Sequence, residues 1–148
     1  MEDTVIRRIE WGSEEYREEL VLRNRVLRIP LGMDLFQEDL GQEEADIHIG
    51  AFLSGRLTGV LLLKPVDGTC VKMRQVAVLP EQQARGLGRR MVAYAEDIAR
   101  EKGYQSMILH ARKSAAGFYT KLGYSIVGAE FTEVGIPHVA MRKRLEDK

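Results

Sequence analysis

The sequence has a single cysteine among 148 residues, which excludes an internal disulfide framework. Cys70 lies in the strand-like run Thr69-Cys70-Val71-Lys72-Met73 with no cluster of metal ligands near it, so a buried, inert thiol is expected. Net charge is also lacking. Lysine plus arginine equals aspartate plus glutamate at 22 each, which removes the global field that would draw a protein to nucleic acid or to an acidic membrane surface. No apolar run approaches the roughly 20 residues that span a bilayer. The first residues include acidic Glu2 and Asp3 rather than a signal-peptide core, so a cytoplasmic location is expected. Repeats, low-complexity tracts and flexible linkers are missing too. What remains is a 45% hydrophobic chain, ample for one core, and a single domain over 1–148 is expected.

The pattern along the chain alternates between strand and helix periods. Thr4 to Trp11 reads as a strand, and Ser13 as the N-cap of a helix with Tyr16, Leu20 and Leu27 at turn spacing. Pro30 and Gly32 break it, and Leu31 to Glu44 reads as a lid or substrate loop. Ile47 to Leu53, Leu57 to Val66 and Thr69 to Leu79 form an antiparallel meander turning at Ser54-Gly55 and Asp67-Gly68. After Pro80 comes a helix with Leu87, Met91, Ala95 and Ala99 on one face and Arg89, Glu96 and Arg100 away from it. Gly103 closes that helix. Gln105 to Ala111 is a strand, Ser114 to Leu122 a helix, and Tyr124 to Phe131 and Val139 to Arg144 complete the sheet. The strand-helix-strand crossover makes 69–79 and 105–111 parallel neighbours, with ligands expected near the strand C-termini.

One turn carries chemistry. Gln83-Ala84-Arg85-Gly86-Leu87-Gly88 joins a strand to a helix, where first-turn amides lack helical acceptors and the dipole favours anions. Glycine lets backbone approach a phosphate closely. An isolated glycine pair is also what a plain sharp turn needs. A phosphate loop of the G-x-x-x-x-G-K-[ST] type is absent, and Met91 stands where a dinucleotide fingerprint has its third glycine, which disfavours both nucleotide readings.

The run Val76-Ala77-Val78-Leu79-Pro80 followed by Gln83-x-x-Gly86-x-Gly88, together with Phe118-Tyr119-Thr120-Lys121-Leu122-Gly123-Tyr124, resembles the Gcn5-related N-acetyltransferase (GNAT) superfamily over essentially the full chain. The resemblance implies an α/β acyl-CoA N-acyltransferase fold with about seven mixed strands and about four helices. It also implies acetyl-CoA as cosubstrate and no metal. Val76, Ala77 and Val78 would pair with the pantetheine arm as an added strand. The turn from Gln83 through Ala84, Arg85, Gly86, Leu87 and Gly88 to Arg89 would hold the pyrophosphate.

Leu22-Arg23-Asn24-Arg25-Val26-Leu27-Arg28, the run from Ala111 to Tyr119, and Gly135-Ile136-Pro137-His138 before Met141 are similar to glyphosate N-acetyltransferase and its YjcF-like and ElaA-like relatives. That likeness implies His138 as general base and Tyr119 as the acid facing the leaving thiolate. Arg28, Arg74 and Arg112 would be a clamp on acidic acceptor groups, since guanidinium forks suit carboxylate and phosphonate oxygens. Arg74, Val76 and Val78 are expected to share a strand face by alternation. Position alone leaves His138 readable as a locally bonded strand-end residue, Tyr119 as packing and each arginine as solvated. Phe118 reads as core, and His48 and His110 as structural.

The expected function is direct acetyl transfer, in a ternary complex, to a small amine bearing acidic groups, an amino acid or aminophosphonate. Transfer to a peptide or protein amine is the nearest alternative. A non-catalytic acyl-CoA sensor is the alternative of another class. The expected partner is the small-molecule amine; an exposed strand edge or helix face leaves a homodimer open.

Overall fold

A computed structural model describes residues 3–146. Among the described residues there are seven strands, β1 (Thr4–Ile9), β2 (Ile47–Leu53), β3 (Arg56–Pro65), β4 (Cys70–Val78), β5 (Ser106–Arg112), β6 (Ser125–Glu133) and β7 (Ile136–Arg144). Three α-helices accompany them, α1 (Glu14–Arg23), α2 (Leu87–Glu101) and α3 (Ala116–Lys121), one fewer than expected because the stretch after α1 winds as a π-turn over Asn24–Arg28 and then as short 3-10 turns. The strand order is β1-β2-β3-β4-β5-β7-β6. β4 and β5 are parallel, as the crossover requires, and β1–β2, β2–β3, β5–β7 and β6–β7 are antiparallel. No helix among the described residues is long and apolar enough to cross a membrane.

The chain forms two compact units. One comprises residues up to Lys64 together with Gln75–Ala95, and the other Pro65–Arg74 together with the residues from Glu96 onward. Because Gln75 has φ 56°, period-two alternation does not carry from Arg74 to Val76, contrary to the simple strand reading.

In the first unit, Ile9, Tyr16, Leu20, Leu22, Leu35, Phe52, Val60 and Ala77 form the apolar core. Ser13 caps α1 by accepting the Tyr16 amide at 3.1 Å. The segment after α1 is pinned rather than loose: Leu35 is fully buried and its amide donates to Asn24 Oδ1 at 2.8 Å.

Beside this core lies a buried charged quartet. Arg23 donates to Glu19 Oε2 at 2.8 Å and to both carboxylate oxygens of Glu43 at 2.8 and 2.6 Å, and the Tyr16 hydroxyl donates to Glu43 at 2.9 Å. His48 Nδ1 faces the Glu19 carboxylate at 3.0 Å and Nε2 faces the Glu43 carbonyl at 2.8 Å. Both neighbours are acceptors, so each ring nitrogen carries a proton and the quartet balances Glu19 and Glu43 against Arg23 and an imidazolium.

Burial works against the His48 charge, but the Glu19 carboxylate and the Glu43 carbonyl outweigh it and hold the imidazole above its usual range. Burial also opposes the Glu43 charge, and Arg23 outweighs it, so that carboxyl sits below its usual range. A raised histidine contributes stability fully below its unfolded value near 6.5 and loses it as pH rises through the raised folded value. A lowered carboxyl contributes fully above its unfolded value of 4.5 and loses it as pH falls through the lowered one. Thermal denaturation across pH should therefore lose midpoint at both ends, and His48→Gln should abolish the alkaline loss while keeping the acid one.

In the second unit, Val71, Met73, Met107, Leu109, Ala111, Val139 and Met141 are buried along the strands, with Ile98 and Ala99 of α2. Glu96, expected on the solvent side, is buried because the Tyr124 hydroxyl donates to it at 2.8 Å and Lys143 Nζ at 2.9 Å. Cys70 is half-buried rather than enclosed.

Candidate functional site

The phosphate turn belongs to the first unit. After Val78, the Leu79 amide donates to Thr58 O at 2.9 Å and a 3-10 turn covers Pro80–Gln82. The motif glutamine has a structural job: Gln83 Nε2 donates to Val78 O at 3.0 Å and braces the turn against its own strand, using one lone pair of a carbonyl expected to face the pantetheine arm. Ala84 and Gly86 take φ of 68° and 78°. Left-handed residues so spaced fold successive amides toward one side, the concavity that accepts anions. Alanine resists that conformation by about 1–2 kcal/mol, strain of the kind held at ligand turns.

The Arg90 amide to Gly86 O, at 3.1 Å, opens α2. The amides of Leu87, Gly88 and Arg89 therefore have no acceptor within the helix, at the positive end of its 15-residue dipole. A Cβ on Gly86 would come only to 3.7 Å from Arg89, so glycine answers to φ here rather than to space. Arg85 and Arg89 are exposed on the same turn. Donors, dipole and basic side chains fit a pyrophosphate.

Arg28 closes the π-turn in the same unit. Its Nε donates to Glu38 Oε2 at 2.7 Å and its Nη2 reaches Oε1 at 3.3 Å. A carboxylate of the protein thus fills the guanidinium fork expected to take an acceptor's acid group.

The histidine and the other two arginines belong to the second unit. Arg112 and His138 are direct partners across the β5/β7 ladder, and Phe131 faces His138 from β6. Directly paired residues share a face, and so do residues two apart, which puts His110, Arg112, Phe131, Glu133 and His138 on one face. Lys72 pairs with Ile108, so Lys72 and Arg74 join that face from β4. Among the described residues neither the Arg74 nor the Arg112 side chain makes an ion pair.

His138 lies inside β7 rather than at its start and is buried at 5% exposure. Pro137 is tolerated because the β5 ladder begins only at His138, so no donor is missed there. His138 Nδ1 lies 2.8 Å from Ile136 O and must donate to it. The neutral ring then carries its lone pair on Nε2, the tautomer a base needs. That nitrogen stands 3.5 Å from Glu133 Oε2.

Tyr119 is buried on α3, its ring edge-on to Phe118 and Tyr124. Burial pushes its phenol up to about 12, so it is protonated at neutral pH. Complete transfer from such a phenol to a thiolate whose thiol titrates near 8.5 is uphill by about 5 kcal/mol. Tyr119 is therefore suited to hydrogen-bonding a departing sulfur rather than to standing ionised. Phe118 is 40% exposed and is not core.

The model of the Acetyltransferase (GNAT) family matches residues 9–124. The chain belongs to the GNAT family. It is 45% identical over 80 residues to YyaT of Bacillus subtilis, covering 54% of either chain, and 34% identical over 73 residues to YjcF of the same organism, covering 49% of this chain and 52% of that one. The chain thus spans about half the length of these curated relatives. A GNAT family acetyltransferase of Elizabethkingia anophelis, solved with acetyl-CoA bound, superposes with TM-score 0.71 at 18% identity over 96% of this chain and 98% of that one. At that identity the likeness shows the GNAT fold.

Two polar residues of this GNAT chain lie on the His138 face without a functional role having been read for them from sequence. Glu133 joins the His138 face because β6 runs two residues further than its apolar pattern suggested and turns through Val134 and Gly135, with φ 46° and 74°. Positive φ at both loop positions is what a type I′ hairpin demands, and Val-Gly is a poor signature for it. Period-two counting across that turn would have placed Glu133 beside His138. His110, read as structural, holds the other Glu133 oxygen at 3.1 Å.

Proposed function

We propose that this chain transfers the acetyl group of acetyl-CoA to the amine of a small acidic acceptor by direct attack. The observation that carries the reading is His138: its Nδ1–H is committed to Ile136 O, its Nε2 is left as the base, and Arg112 stands across the ladder from it. The amides of the 83–89 turn hold the pyrophosphate, and Val76 to Val78 offer strand edge to the pantetheine arm. Nε2 takes one proton from the acceptor ammonium. The freed nitrogen pair attacks the thioester carbonyl, the C–N bond forms, and the C–S bond breaks as Tyr119 donates a hydrogen bond to sulfur. The departing thiolate takes the second nitrogen proton and becomes the thiol, and the proton on His138 leaves to solvent. One ammonium and one thioester thus give one amide, one thiol and one released proton.

Arg74 and Arg112 supply charge for an acceptor carboxylate or phosphonate. A charged hydrogen bond of this kind contributes about 1.5–3 kcal/mol, so Arg112→Ala should raise KM about 10–100-fold for 2-aminoethylphosphonate and little for benzylamine. Equal effects on both amines, read by thiol release, would remove the acidic acceptor from the proposal. A second reading, transfer to a peptide or protein amine, is favoured by the Glu38 carboxylate in the Arg28 fork. On that reading Arg28→Ala leaves KM for the phosphonate unchanged.

A further inference from the structure

Glu133 has no part in the mechanism above, yet among the described residues it is the carboxylate nearest the base nitrogen. Oε2 lies 3.5 Å from His138 Nε2 and Oε1 lies 3.1 Å from His110 Nδ1. The shorter contact makes His110 Nδ1 a donor and fixes which oxygen is turned toward His138. Lys72 Nζ, 3.4 Å from that same Nδ1, adds a cation at the far end of the group. The Glu133 side chain is 46% exposed while that of His138 is 6% exposed, so the carboxylate is open to solvent and the base is buried.

In the neutral tautomer fixed by Ile136, Nε2 offers a lone pair. A lone pair and a carboxylate oxygen facing one another are two acceptors, and a group that brings two or more donors satisfies both. A primary ammonium brings three. A nitrogen about 3 Å from both atoms donates to both at once, with one donor left over.

We propose that Glu133 Oε2 and His138 Nε2 together form the receptor for the acceptor's ammonium. Glu133 is its specificity-determining residue: it binds the positive charge before reaction and holds one N–H aligned on Nε2. When that proton moves to Nε2 the positive charge moves with it, from the substrate nitrogen to the imidazolium. The same carboxylate remains beside it, so the charge is compensated throughout the step and no further group has to move. The hairpin fixes this geometry, because the Val134-Gly135 turn sets Glu133 opposite Ile136 and Phe131 opposite His138. Arg74, Arg112 and Lys72 on the same face would repel an ammonium. Glu133 supplies the opposite sign at the one atom where it is needed.

The inference rests on His138 as base but not on an acidic acceptor. Glu133→Gln keeps shape and removes charge, and its effect is read on 2-aminoethylphosphonate and benzylamine alike. Both amine KM values should rise about tenfold, that for acetyl-CoA should stay as in the wild type, and Glu133→Asp should recover part of the loss. Without catalysis, methylammonium chloride titrated against the wild-type protein should shift the His138 ring resonances saturably, and Glu133→Gln should abolish that shift. Unchanged amine KM values in Glu133→Gln, or a methylammonium response that is absent in the wild type or equal in both proteins, overturns the proposal. Wild-type turnover in His138→Ala instead overturns the assignment of the base. Arg112→Ala without selectivity overturns only the acidic acceptor.

Discussion

Replacing His138 with alanine should lower kcat for acetyl transfer by about 10²–10⁴-fold while leaving KM for acetyl-CoA unchanged. The split follows from where the residue stands. The amides that suit the pyrophosphate come from the turn between Gln83 and Arg89, and the imidazole comes from β7. An ammonium has no lone pair to attack with, so on the proposed mechanism losing His138 removes the reactive form of the acceptor rather than its binding. Tyr119→Phe should cost less, because on the proposed mechanism a buried phenol pushed up to about 12 would do no more than hydrogen-bond the sulfur. Steady-state kinetics on both variants checks the order. Loss of acetyl-CoA affinity in His138→Ala would show a structural role instead.

The second large effect is on stability. Arg23→Leu leaves Glu19 and Glu43 buried without their shared guanidinium. Breaking one partner from a buried ionic group costs about 3–5 kcal/mol. For a chain of this size that lowers the thermal midpoint by roughly 6–20 °C. Arg7→Ala makes the control. Its pair with Glu15 is solvent-exposed, and the change should cost at most about 1 kcal/mol. Similar midpoints for the two variants, by calorimetry, would mean the quartet is not the anchor of the segment between α1 and β2.

Much of the frame was legible because the chain's periods are strong. Leu87, Met91, Ala95 and Ala99 repeat at helical spacing, and all four are buried on α2. The parallel pairing of β4 with β5 followed from one crossover. Glu19 and Arg23 were not legible as core: a Glu-Arg pair four apart ordinarily reads as a solvated helix face, and only the arrival of Glu43 and His48 from distant segments buries it. Glu96 misled for the same reason, since its partners Tyr124 and Lys143 are distant in sequence.

The candidate site divides along similar lines. The turn from Gln83 to Gly88 is local, and its phosphate chemistry can be read from six consecutive residues. The face around His138 is not local. Arg112 meets it through ladder register, and Glu133 through a hairpin whose Val-Gly loop carries no strong turn signal. The Glu38 carboxylate on Arg28 was also hidden, because a bend between them, not their spacing, brings the pair together.

The most direct test is an initial-rate study in which acetyl-CoA and 2-aminoethylphosphonate are varied together and thiol release is followed. Direct attack in a ternary complex predicts amine-dependent release with intersecting double-reciprocal lines. Parallel lines, which mark a covalent acyl-enzyme, or thiol release that does not depend on the amine, would contradict the account.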